Sequence, residues 1–147
     1  MTISNFLRAI GKKLKELYPD KITYYKEIPR DADGNFYARL VDSSQERHLD
    51  RRRKRILQFE VLYYCEEKDK MAFLDWAEVM YDNFEQLAVK VDDEGNVWNI
   101  DLKNQKAHEN NNTMMYQFLF DAEFYFVMKP EEVPLMENLE HTERVRE

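Results

Sequence analysis

At 147 residues, with 44% apolar and 14% aromatic side chains, the chain has the length of one domain and the apolar content to bury a core. Three glycines exclude a glycine-rich phosphate loop, and a single cysteine excludes an intramolecular disulfide or a cysteine-based zinc cage. The formal net charge is −7, yet residues 47–55 hold six Arg or Lys against one Asp, so positive charge is concentrated in one run of an acidic chain.

The first segment, "SNFLRAIGKKLKELYP", reads as an amphipathic helix. Phe6, Leu7, Ile10, Leu14 and Leu17 recur at helical spacing, Ser4 is the expected N-cap, and Pro19 ends the helix. Arg8, Lys12, Lys13 and Lys15 interrupt it, so it is neither a signal peptide nor a membrane span. "KITYYKEIP" is expected to be a strand and "RDADG" a turn. "NFYARLVDSS" is a second strand, with Phe36, Ala38 and Leu40 on one face and Tyr37, Arg39 and Val41 on the other. A polar stretch follows, and the third strand begins at about Arg55. There Leu57, Phe59, Val61, Tyr63 and Cys65 share the apolar face, with Gln58, Glu60 and Glu66 opposite. Strands two and three therefore form a long hairpin whose tip is the charged run.

"DKMAFLDWAEVMYDNFEQLA" reads as a second helix, capped by Asp69, with Phe73, Trp76, Ala77, Met80, Phe84 and Leu87 as its buried face. "AVKVDDEGN" suggests a short edge strand ending in a turn at Gly95. "VWNIDLKNQKAH" is a strand, and "ENNNT" a polar turn. In "TMMYQFLFDAEFYFVM" every second residue from Met114 to Met128 is apolar, which predicts a long central strand packed under the helices. The whole is an α+β fold of order α-β-β-β-α-β-β, with two helices on one face of a mixed or antiparallel sheet. Residues 1–130 are expected to be the single domain and residues 131–147 an acidic tail with six Glu against two Arg.

Arg47, Arg51, Arg52, Arg53, Lys54 and Arg55 are the first candidate site. Clustered cations suit nucleic acid, a solvated tip that resists edge aggregation, or an acidic partner surface. Glu46, His48 and Asp50 alternate as a weak metal or nuclease trio, opposed by the cations that follow. Cys65 reads as a structural thiol, and His108 and His141 have no partner at a useful spacing. No catalytic triad, phosphate loop or carboxylate pair is present. The expectation is a protein without enzymatic activity, cofactor or metal.

One resemblance goes further. "ITYYKEIPR", then "RHLDRRRKRILQFEVLYYCEE", then "FLDWAEVMYDNFEQL" resemble the tail terminator proteins of tailed phages and prophages. Tyr25, Glu27, Ile28, Pro29, Arg53, Arg55, Phe59, Val61, Tyr63 and Tyr64 carry it, over most of residues 3–128. The segment before the second strand, "RDADGNFYARL", departs from the family pattern, and the chain beyond Pro130 has no clear counterpart. The resemblance implies a structural protein of the tail neck: a six-membered ring that caps the head-proximal end of the tail tube and stops its polymerisation. It also implies docking to the head connector, a sheath contact if the tail is contractile, DNA passing through the lumen, and no membrane. A second neck or tail-completion protein, or a nucleic-acid-binding adapter using residues 47–55, are the alternatives.

Overall fold

The computed structural model describes residues 2–26, 34–65, 69–110 and 115–128. Within them are two helices and six strands: α1 (Ile3–Leu17), β1 (Thr23–Tyr24), β2 (Phe36–Arg47), β3 (Arg52–Tyr64), α2 (Lys70–Asn83), β4 (Gln86–Lys90), β5 (Val97–Asn110) and β6 (Met115–Val127). The expected α+β class holds, and the short edge strand suggested by "AVKVDDEGN" is β4, which adds one strand to the seven-element order. The sheet order is β1-β2-β3-β6-β5-β4. Only β1 and β2 run parallel; the other pairs are antiparallel. The sheet is therefore mixed.

The alternation in β6 places it centrally, between β3 and β5. Tyr116, Phe118, Phe120, Ala122 and Phe124 are buried on one face and meet Leu57, Phe59 and Val61 of β3. Both helices cover this face. Phe6 of α1 stacks on Phe59 at 5.6 Å and on Phe124 at 5.3 Å. Phe73 of α2 lies 4.7 Å from Tyr116, and Trp76 is 5.6 Å from Tyr63. One interlocked aromatic cluster thus ties both helices to the two central strands.

Two irregularities curl the sheet. Val41 is the extra residue of a bulge between Leu40 and Asp42. The second lies between Lys103 and Lys106, where Asn104 takes φ 57° and its amide donates to Asp121 at 2.8 Å. An asparagine accepts this left-handed backbone at little cost. Beyond that bulge β5 leaves β6 and pairs with β4, which comes alongside α1: Asn5 donates to the Lys90 carbonyl at 3.0 Å and Lys13 to that of Gln86 at 2.7 Å. At the opposite edge Tyr25 lies over α1. Its hydroxyl occupies the space a Cβ at Gly11 would need, which explains a glycine inside the helix.

Several expectations are corrected. The α1 cap is Thr2, whose side chain accepts from Asn5 N at 3.2 Å; Ser4 is already helical. Asp69 caps α2 as expected, accepting from Met71 N at 3.0 Å. The α2 helix stops at Asn83, and although Phe84 and Leu87 are buried, Phe84 is the C-cap and Leu87 belongs to β4. Glu60 lies on the outer face as expected, yet is only 1% exposed. The end of the first strand at 27–29, most of the "RDADG" turn, Glu66, most of the "ENNNT" turn, Met114 and the acidic tail with His141 lie outside the described residues.

Candidate functional site

The charged run lies at the end of β2, β3 and β6, where these three strands project as a tongue. The expected tip is corrected here: β3 starts at Arg52, so Arg52–Arg55 are strand and the turn is His48–Arg51. Two pairings set it: Arg53, Lys54 and Arg55 lie opposite Arg47, Glu46 and Gln45 of β2, and the second pairing is nonlocal. β6 is long enough to pair with Arg52 through Val127, and Met128 N donates to the Arg51 carbonyl at 2.8 Å. His48 N donates to the Arg52 carbonyl at 3.0 Å, and Asp50 takes φ 61° to close the turn.

This geometry divides the six cations into two groups. Arg55 stands on the core face beyond the helices. Its guanidinium lies 4.7 Å from the Phe126 ring centre and donates to Gln45 Oε1 from Nε at 3.1 Å and from Nη2 at 2.6 Å. It closes the open end of the apolar core. Arg53, on the same face, donates to the carbonyls of Asp50 and Arg52 and holds the turn. Lys54 is on the outer face, 3.6 Å from Glu123, which also pairs with Lys103 at 3.0 Å. The hydrogen bond and charge of Lys103 hold the Glu123 carboxyl below its ordinary range and raise Lys103 in return.

Arg47, Arg51 and Arg52 form the second group. They are exposed, and their side chains make no ion pair or hydrogen bond among the described residues. Around them the tongue is apolar: Leu49 at the turn is 87% exposed, and Tyr125 and Val127 are each 60% exposed. Sequence reading missed these three. The signal was the opposite face of β6, which runs Gln117, Leu119, Asp121 and Glu123 and then turns apolar at Tyr125 and Val127. The tongue also has two open edges. The β1–β2 pairing ends at Tyr37, and the β5–β6 pairing ends at Ala122, so beyond these points no described strand covers β2 or β6.

Glu46 and His48 come together, with Oε2 and Nε2 3.5 Å apart, and the His48 ring meets Tyr125 edge-on at 5.7 Å. Asp50 sits in the turn. Among the described residues no set of three potential ligands gathers around a common point. Cys65 packs, half-buried, against the core, and His108 is exposed on β5. Among the described residues no helix is long and apolar enough to cross a membrane.

Such a surface holds cations, apolar groups and open strand edges, which suits it to binding another protein rather than to chemistry. A search of curated proteins finds no match. The model of one family, described as phage tail terminator protein, matches residues 5–134, four residues further along the chain than the expected domain limit. The chain thus belongs to the phage tail terminator family, and is a structural, non-enzymatic component of the virion that acts at the tail tube.

Proposed function

We propose that this protein forms a six-membered ring on the head-proximal end of the tail tube, stops tube polymerisation there, and presents the surface to which the head connector docks. The family match over residues 5–134 carries this reading. Residues 1–130 supply the ring-forming domain, which is assembled in the host cytoplasm. The tongue supplies an assembly surface, with Arg47, Arg51 and Arg52 as its exposed charges and Arg53, Lys54 and Arg55 as its internal support. Two features support this role. Strand edges that no described strand covers, beside exposed Leu49, Tyr125 and Val127, are an aggregation hazard unless something covers them. Three arginines that make no ion pair among the described residues, in a chain of net charge −7, fit an acidic patch on a neighbouring copy or on the tube. DNA passing the lumen is better served by a surface that does not hold phosphate.

Deleting the protein from the phage and viewing the products by electron microscopy tests the reading. Overlong tails without heads are expected, and wild-type particles should show six-fold density at the neck. Tails of normal length in the deletion would remove the capping role, and any other symmetry would remove the ring.

A further inference from the structure

A second concentration of positive charge lies between α1 and β4, apart from the tongue. Leu102 N donates to the Glu85 carbonyl and Val91 N to that of Asn96, so within β4 the backbone groups of Leu87 and Val89 face β5. Those of Gln86, Ala88 and Lys90 face away. Helix α1 answers two of their carbonyls, through Lys13 to Gln86 and Asn5 to Lys90. Between them the backbone of Ala88 opens toward a groove of about 600 Å³. Arg8, Lys12 and Lys90 border this groove, exposed and without an ion pair among the described residues; Glu16 is the carboxylate beside them. Ala9 and Val97 add apolar lining. In the turn that brings Gly95 to the groove, the Asp92 carboxylate is occupied locally, accepting from Asn96 Nδ2 at 2.6 Å and from Glu94 N at 2.9 Å.

An open strand edge flanked by cations recognises an extended acidic peptide: the edge pairs with its backbone and the cations with its carboxylates. The chain carries such a peptide. Residues 131–147 hold six Glu against two Arg, with Val133, Leu135, Met136 and Leu139 interspersed. The family match ends at residue 134, so most of this segment lies beyond the matched residues. A fully extended chain of this length spans at most roughly 55 Å. We propose that the α1–β4 groove binds the acidic C-terminal segment, residues 131–147, of a copy of this chain. This reading stands independently of the capping role, since its charges and its strand edge are not those of the tongue.

Carbodiimide coupling of the full-length chain tests it, because this reagent joins carboxylates to amines only where they touch. Mass spectrometry should find glutamates of 131–147 joined to Lys12 or Lys90. The yield should fall at least fivefold in 0.5 M salt and in Arg8→Glu, and persist in Arg8→Lys. Arg8 is exposed, so both variants should keep the wild-type circular dichroism; Lys90→Glu provides a second reversal with the Lys12 link as its readout. Tail glutamates joined only to lysines outside the groove, or to none, would overturn the proposal. So would links to Lys12 that survive both reversals.

Discussion

Glu60 is the carboxylate that the sheet buries on the face opposite the helices. It is 1% exposed, receives the Arg39 Nε–H, and accepts a further bond from the Gln117 amide. The Arg39 side chain is 53% exposed, so the two partners stand in different solvents. Removing Glu60 leaves an arginine that water can solvate. Removing Arg39 leaves a buried carboxylate with one neutral donor. Breaking a buried pair costs about 3–5 kcal/mol when the remaining charge is stranded. Solvent around Arg39 discounts the pair, so Arg39→Met should cost about 2–3 kcal/mol and Glu60→Met about 1 kcal/mol or less. Urea unfolding of the two variants gives both numbers. Equal losses would show that the burial of Glu60 is not what makes Arg39 valuable.

The tongue is the element where charge and structure overlap, and its cations should separate by what they touch. Arg55→Ala removes a cation–π contact with Phe126 and two bonds to Gln45, for an expected loss of about 1–2 kcal/mol. Arg51 and Arg52 touch no partner side chain among the described residues, so Arg51→Ala and Arg52→Ala should stay within about 0.5 kcal/mol of wild type. Denaturant midpoints of the three variants check the ranking, and a destabilised Arg51→Ala would mean that the turn itself depends on that charge. Local periodicity made the long strands legible: Phe36, Ala38 and Leu40, Leu57 to Tyr63, and Tyr116 to Phe126 alternate as they pack. It failed where two periods coincide. Phe73, Trp76, Met80, Phe84 and Leu87 keep helical spacing, but Leu87 and Val89 are the buried face of β4, and nothing local marks the change of period at Phe84. It failed again at Arg52–Lys54, whose strand conformation rests on pairing with Glu46 and Arg47 of β2 and with the last residues of β6, more than seventy positions away. The burial of Glu60 was hidden for the same reason, since Arg39 and Gln117 come from two other strands.

At the scale of the whole molecule, the question is why an acidic protein keeps three exposed arginines at one end of its sheet. A single exposed ion pair contributes only about 0.2–1 kcal/mol, so the isolated chain gains almost nothing from them. In the proposed ring the same small contribution would recur in every copy, and complementary charge also speeds encounter and rejects wrong partners. Replacing Arg47, Arg51 and Arg52 together by Glu should therefore leave the melting temperature within about 3 °C of wild type while blocking tail completion. Arg53, Lys54 and Arg55 are left in place because they hold the turn, Glu123 and the end of the core. Melting by circular dichroism and counting of finished tails by electron microscopy measure the two effects separately. An unfolded triple variant would make these arginines part of the fold rather than of an interface. A variant that folds and completes tails, yet releases DNA abnormally from the particle, would turn the tongue toward the lumen. Normal assembly with normal release would remove the arginines from the ring altogether and leave Leu49, Tyr125 and Val127 as the surface to reverse next.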